Sequence, residues 1–244
     1  MKKIAISFLM ILSVVSYSQT PITDANFETA INTCLSTNPV DGMCSDSEYG
    51  AMPEWDVSNV TDMSDLFDGT SFNCDISSWD VGNVTNMSFM FRSPSFNQDL
   101  SSWNVSNVTN MYAMFSSASA FNQDISSWNV SNVTNMSNMF NGAQAFNHDI
   151  GSWDVSNVIY MQSVFLGASA FNQDIGSWNI SNVTDLRSFF EDASSFNQDL
   201  SSWDVTNVTN MYAMFRRAYS FDNDLSSWSL EAVTYMRNMF KEVT

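Results

Sequence analysis

The sequence is short of basic residues. It has 8 Lys and Arg against 26 Asp and Glu, a formal net charge of −18, although charged residues of both signs make up only 14% of the chain. Because phosphate binding needs clustered Lys and Arg, this balance argues against nucleic acid and against anionic membrane surfaces as partners. Disorder is also disfavoured, since 44% hydrophobic and 14% aromatic residues exceed what a solvated chain carries.

Residues with catalytic or metal-binding chemistry are equally scarce. The chain has one histidine, His148, and three cysteines, which do not make a convincing zinc site. It contains no Gly-x-Ser-x-Gly motif, no P-loop and no metalloprotease motif. The sequence therefore predicts a protein that is not an enzyme and that has no cofactor or catalytic metal.

Only the N-terminus carries a sustained apolar run. Lys2 and Lys3 precede an apolar segment from Ile4 to Val15, and small residues follow up to Ser18. This order is typical of a secretory signal peptide over residues 1–18, and the run is too short to span a membrane. We expect secretion or cell-surface display after cleavage near Ser18, with no membrane insertion. Removal of the two lysines leaves 6 bases and 26 acids, a net charge of −20.

The three cysteines allow one disulfide in an exported protein. Cys34 and Cys44 flank a loop rich in turn-forming residues, so this pairing is favoured. Cys74 then stays free, although Cys34–Cys74 and Cys44–Cys74 links remain alternatives.

Most of the chain is a tandem repeat. Eight tryptophans recur at spacings of 24, 24 and then 25 residues, at Trp55, Trp79, Trp103, Trp128, Trp153, Trp178, Trp203 and Trp228. The spacing predicts an eight-unit array over residues 55–244, uncapped at its C-terminal end. Residues 19–54 do not fit the repeat. Apolar residues from Phe27 to Leu35 predict a capping helix of about 12 residues there, with Thr23 or Asp24 as its N-cap.

The apolar pattern inside a unit predicts an α/β solenoid. Val133, Met136, Met139 and Phe140 have the spacing of one helix face, and the segment from Asp124 to Trp128 suggests a short strand. Such coils must curve, because packed helices need more room than packed strands. Recurrent Asn residues are expected to hydrogen bond from coil to coil, and recurrent Asp residues to cap turns. A calcium-binding column of Asp is the alternative to turn capping.

The unit from Phe121 to Phe140, Phe-Asn-Gln-Asp-Ile-Ser-Ser-Trp-Asn-Val-Ser-Asn-Val-Thr-Asn-Met-Ser-Asn-Met-Phe, resembles the repeats of BspA-like leucine-rich-repeat surface proteins. The resemblance extends over about residues 55–240. It implies a secreted or surface-displayed leucine-rich-repeat-like fold of strand-plus-helix coils, with adhesion or host-protein binding in some members. It supplies no catalytic residues.

These observations favour a protein that binds macromolecules, either protein or glycan on other cells or matrix. A structural spacer and a carbohydrate-binding module that stacks sugars on its Trp residues are the alternatives, although a Trp in every unit is more often a core residue. Positions that vary between units mark the expected contact strip: Phe89, Tyr112, Asn138, Ser163, Ser188 and Tyr212.

Overall fold

A computed structural model describes residues 20–243. The expected signal peptide and cleavage site lie outside the described residues. Within them the regular elements are one α-helix, α1, at Phe27–Thr37 and one 3-10 helix at Met52–Glu54. No helix in this range is long and apolar enough to cross a membrane.

Each repeat unit forms one coil of a solenoid that is built from β-turns. In the coil that begins at Trp128, the chain reverses in successive turns, each closed by a backbone hydrogen bond. The N–H groups of Val133, Met139 and Ala143 donate to the carbonyls three residues earlier at 2.9–3.0 Å. The same bond joins Trp128 to Ile125 at 3.1 Å, so the expected strand is a turn instead. The predicted α/β fold of strand-plus-helix coils is therefore wrong.

The helical segment fails because every coil contains a residue in the left-handed backbone region. This left-handed column has φ values of 52–62° and comprises Asp65, Phe89, Ala113, Asn138, Ser163, Ser188, Ala213 and Asn238. A residue with positive φ cannot continue a right-handed α-helix. In most coils a second left-handed residue follows four positions later, and in three of them it is glycine: Gly69, Gly142 and Gly167.

Backbone groups that a helix would pair within itself are paired between coils. Around Asn138, alternate N–H groups point along the solenoid: Asn138 donates to Gln162 and Phe140 donates to Val164, both at 2.9 Å. Parallel β-bridges join one residue per coil, without extended strands, in two runs that we call the bridge column. The first runs Asp62, Asn86, Asn110, Asn135, Tyr160, and the second Asp185, Asn210, Tyr235. Among residues 20–243 no helices stack against strands. The predicted curvature, which came from the wider spacing of packed helices, therefore has no basis.

The core consists of stacked aromatic columns along the solenoid axis. Seven of the eight Trp side chains are 3–5% exposed and Trp228 is 8% exposed. Trp153 and Trp178 stack with centroids 6.5 Å apart and an interplanar angle of 3°. The indole N–H groups also donate hydrogen bonds to backbone carbonyls of the neighbouring coil, as Trp128 Nε1 donates to the Leu100 carbonyl at 3.0 Å. A parallel column of Phe side chains repeats at 5.5–5.8 Å.

Side-chain amides complete the coil-to-coil bonding. Asn132 Nδ2 donates to the Ser106 carbonyl at 2.8 Å, and equivalent Asn residues do the same in six successive coils. In a second amide column, Asn122 Oδ1 accepts the Asn147 N–H at 3.0 Å. His148 takes the place of a Gln beside that column, with Nε2 3.0 Å from the Asn122 carbonyl oxygen. The recurrent Asn residues thus carry out the bonding expected of them.

The N-terminal cap closes the first coil. Helix α1 begins after Asn26, which occupies the N-cap in place of the expected Thr23 or Asp24. Asp24 instead accepts hydrogen bonds from the Thr61 N–H and hydroxyl at 2.8 and 2.7 Å, which fastens the cap to the first coil. Phe27 packs against the Trp79 ring at 5.6 Å, so the cap shields the end of the Trp column.

A disulfide joins Cys34 in α1 to Cys44 in the loop that follows, and Cys74 is a buried free thiol. The crosslink closes a loop of 10 residues. We expect the Cys34→Ser/Cys44→Ser variant to lose about 2–3 kcal/mol of unfolding free energy, because the unfolded cap regains its freedom. Urea unfolding measures the loss, and Cys74→Ser is the control that leaves the disulfide intact. Equal midpoints with and without reductant would contradict the expectation.

Candidate functional site

The six residues of the expected contact strip lie in two adjacent columns. Phe89, Asn138, Ser163 and Ser188 belong to the left-handed column. Tyr112 and Tyr212 belong to the preceding position, which we call the outer column: Ser64, Ser88, Tyr112, Ser137, Gln162, Arg187, Tyr212 and Arg237. All six predicted residues are half-buried. The strip is therefore a line of turns rather than the side of a helix.

The backbone holds these side chains in fixed register. Ser188 N–H donates to the Tyr212 carbonyl at 2.8 Å, and Phe89 N–H donates to the Tyr112 carbonyl at 2.9 Å. The bridge column braces the same turns, since the Tyr212 N–H donates to Asn210 Oδ1 at 3.0 Å. The backbone N–H groups at these strip positions are therefore already hydrogen bonded within the protein.

Aromatic residues on the strip form two clusters. Near the N-terminal end, the Phe89 and Tyr112 rings meet edge to face at 4.9 Å, and the Arg92 guanidinium lies 4.9 Å from the Phe89 centroid. Arg92 also makes a two-point ion pair with Asp68 at 2.5–2.6 Å. Near the C-terminal end, Tyr212 and Tyr235 stack at 5.5 Å.

Sequence reasoning missed several outward-facing residues beside the strip. Ile159 and Tyr160 replace the usual Thr-Asn pair and are 45% and 54% exposed. Tyr235 takes an Asn position in the last coil, and Arg187 and Arg237 take Ser positions in the outer column. Their departure from the repeat consensus was the available signal. These positions lie outside the six that vary beside the Met residues, so the predicted strip does not include them.

Charge is unevenly distributed around each coil. All six described bases lie in one part of the coil, which we call the strip segment and which in the coil of Trp128 runs from Asn135 of the bridge column to Phe146. These bases are Arg92, Arg187, Arg216, Arg217, Arg237 and Lys241. The rest of each coil carries only acidic charges: Asp56, Asp75, Asp80, Asp99, Asp124, Asp149, Asp154, Asp174, Asp199, Asp204, Asp222, Asp224 and Glu231. The strip segments, with six bases against seven acids, are therefore much less negative than the remainder of the array.

The recurrent Asp residues are engaged in turns. Asp124 Oδ1 accepts the Ser126 N–H at 2.9 Å, and hydrogen bonds from the Ser126 side chain and backbone lower the pKa of the Asp124 carboxyl. Asp199 and Asp224 make the same contact at the equivalent position of their own coils, at 2.8 Å to Ser201 and Ser226. Among residues 20–243, no group of three or more His, Cys, Asp or Glu side chains is placed to hold a metal ion.

We therefore expect the array to fold without calcium, because turn N–H groups rather than a cation satisfy these carboxylates. Thermal melting of the mature protein should give the same midpoint in millimolar calcium and in excess chelator. A steep rise with calcium that chelator reverses would show that the Asp residues form a metal ladder. Magnesium at equal concentration controls for simple charge screening.

The burial of the Trp column bears on sugar stacking. With seven of eight Trp rings at most 5% exposed and the eighth at 8%, the column offers no open aromatic face along the array. A Trp ladder for sugar rings, raised as an alternative from the sequence, is wrong for this structure. The exposed aromatic side chains are instead Tyr160, Tyr219, Tyr235 and Phe240.

Comparison with known proteins identifies the family. A family model described as "Mycoplasma protein of unknown function, DUF285" matches residues 40–153 and again residues 144–244. Neither the curated proteins nor the solved structures contain a match to this chain. The two adjacent matches cover nearly all of the described solenoid and agree with its tandem coils. The chain is therefore a member of the DUF285 family of repeat proteins.

Proposed function

We propose that the protein is a secreted or cell-surface repeat protein that binds macromolecules and has no enzymatic activity. Its partner is a protein or glycan on other cells or matrix. The placement of aromatic side chains on the strip carries this proposal. The repeat resemblance to BspA-like leucine-rich-repeat surface proteins supports the same role, since adhesion is attributed to some of those proteins.

Binding surfaces concentrate their energy in Tyr, Trp and Arg side chains that are held in place before the partner arrives. The strip has this composition. Phe89, Tyr112 and Arg92 contact one another at its N-terminal end, and Tyr212 stacks on Tyr235 at the other. Consensus units carry small polar residues at the same positions, so the core does not require these aromatic rings.

A structural spacer is the second candidate function. The coil-to-coil bonds of the backbone and the stacked aromatic core run through the whole array and favour a stiff rod. A stiff rod holds an attached partner at a fixed distance without binding anything along its sides.

Binding to intact host or neighbouring cells distinguishes the two functions. Fluorescently labelled mature protein is compared with the Phe89→Ser/Tyr112→Ser/Tyr212→Ser variant. Serine occurs in other coils at both kinds of position, in the left-handed column at Ser163 and Ser188 and in the outer column at Ser88 and Ser137. The control is Asn104→Asp/Asn129→Asp/Asn179→Asp on the acidic part of the coils, where other units carry Asp. We expect the strip variant to lose most cell binding and the control to retain it.

Equal loss in both variants would show that the strip is not the contact surface. Absence of binding by the unchanged protein, with folding verified by its thermal transition, would favour the spacer.

A further inference from the structure

The strip segments of three neighbouring coils together carry a net charge opposite in sign to that of the protein as a whole. In the three coils that begin at Trp178, Trp203 and Trp228, the strip segment contains five of the six described bases. These are Arg187, Arg216, Arg217, Arg237 and Lys241. The same segments contain four acids, Asp185, Glu191, Asp192 and Glu242, so their net charge is 5 minus 4, or +1. The mature chain carries −20, which makes this area a local exception.

The bases differ in whether they are free to meet a ligand. Arg216 and Arg217 form ion pairs with Glu191 in the preceding coil, and Arg217 also makes a two-point pair with Asp192 at 2.5–2.6 Å. Arg187 makes a single looser contact, 3.5 Å to Asp185, and its side chain is 52% exposed. Arg237 is exposed, and within the described part of the chain its guanidinium has no ion pair.

Tyr rings lie among the two most weakly paired of these guanidinium groups, those of Arg187 and Arg237. The outer column reads Arg187, Tyr212, Arg237 in three successive coils, and Tyr235 in the bridge column stacks on Tyr212 at 5.5 Å. Ser88 and Ser137 of the outer column are buried, but longer side chains in these columns reach solvent in inner coils as well as in the last one. Arg187 and Tyr160 occupy the same two columns in inner coils and are 52% and 54% exposed.

We propose that Arg187, Tyr212, Tyr235 and Arg237 form a binding site for an acidic polysaccharide. This inference rests on the proposed binding function and specifies its ligand. The guanidinium groups bind carboxylate or sulfate groups of the glycan, because their planar N–H donors match the oxygen geometry of those anions. The exposed parts of the Tyr rings pack against the apolar C–H face of a sugar ring, and the phenolic hydroxyls remain in water.

The geometry fits an extended polymer better than a peptide. Arg187 and Arg237 are two coils apart, about 10 Å at the spacing of bridged chains, so they contact anionic groups on separate sugar units. A peptide strand would need an open backbone edge to pair with. At Ser188 and Ala213 the strip backbone does not offer one, since Ser188 N–H is bonded to the Tyr212 carbonyl and Ala213 N–H to the Arg237 carbonyl.

The test measures binding of the mature protein to immobilised polysaccharides by biolayer interferometry. Hyaluronan supplies carboxylates, heparan sulfate supplies sulfates and carboxylates, and dextran is the neutral glycan. Poly-glutamate is the acidic polymer without sugar rings. The first variant, Arg187→Ser/Arg237→Ser, restores the outer-column consensus. The second, Tyr212→Ser/Tyr235→Asn, removes the rings and also restores consensus residues.

A charge-matched control separates the site from net charge. Ser106→Glu/Ser131→Glu changes the net charge by −2, as the double Arg variant does. The equivalent position in the last coil already carries glutamate, Glu231. We expect at least one acidic glycan to bind, each site variant to weaken that binding about tenfold, and the control to change it less than twofold. All binding should weaken with added salt.

The outcomes that overturn the proposal are distinct from those that overturn the proposed function. Equal weakening by the control means that net charge alone governs the interaction. Poly-glutamate binding as tight as glycan binding means that the Tyr rings do not recognise sugar. Failure of every acidic glycan, together with strip-dependent binding to intact cells, overturns this site and leaves the macromolecule-binding function in place.

Discussion

Trp153→Ala should destabilise the protein by about 3–5 kcal/mol, the range for removal of a large buried aromatic side chain. Trp153 is 4% exposed, and its ring stacks on Trp128 and Trp178 at 6.5 Å on both sides. Its indole N–H also donates to the Ile125 carbonyl at 3.3 Å. The substitution therefore interrupts two stacks, leaves a cavity in the middle of the array and removes one bond between coils.

Urea unfolding followed by circular dichroism measures this loss. Tyr160→Asn is the matched control, because it changes an aromatic residue of the same coil to the consensus residue of an exposed position, and it should shift the unfolding free energy by about 0.5 kcal/mol or less. Tryptophan emission of the folded protein should be blue-shifted for the same reason of burial. A loss below about 1 kcal/mol in Trp153→Ala, or emission like that of Trp in water, would contradict the buried column.

The periodic sequence predicted which side chains are buried, but not the backbone that buries them. Val133, Met136, Met139 and Phe140 all point inward, as their apolar character requires. Their spacing fits one face of a helix, and two consecutive turns satisfy it equally well. The spacing of apolar residues predicts which side chains point to the core, but it does not determine the sign of φ. The α/β assignment added a backbone that the pattern does not determine.

A weaker signal for the turns was present in the sequence. The left-handed column contains Asp, Asn, Ser, Ala and one Phe, and no β-branched residue in eight coils. Residues with positive φ avoid β-branched side chains, so this absence is informative when it recurs. Gly142 and Gly167 mark the second left-handed position in the same way. The contact residues predicted from variation between units stay a prediction; charge and exposure in the structure add Arg187, Arg237 and Tyr235 beside them.

Ser163 provides the substitution that separates the turn from the predicted helix. Its φ is 56°, and it is half-buried in an inner coil. Glycine adopts this conformation without the steric cost that other residues have, so Ser163→Gly should stabilise the protein by about 0.5–1 kcal/mol. Ser163→Val should destabilise it by about 1–3 kcal/mol, because a β-branched side chain clashes with the left-handed backbone.

The sign of the glycine effect decides between the two backbones. In a helix, Ser163→Gly would lower stability, since glycine is among the poorest helix formers. Ser156→Gly serves as the matched control in the same coil, because Ser156 lies in a turn but has no positive φ. There, glycine should cost about 0.5–1 kcal/mol through the greater freedom of the unfolded chain. If the backbone forms turns, the unfolding free energy measured in urea should rise for Ser163→Gly and fall for Ser156→Gly. A fall for both variants would favour a helix at Ser163.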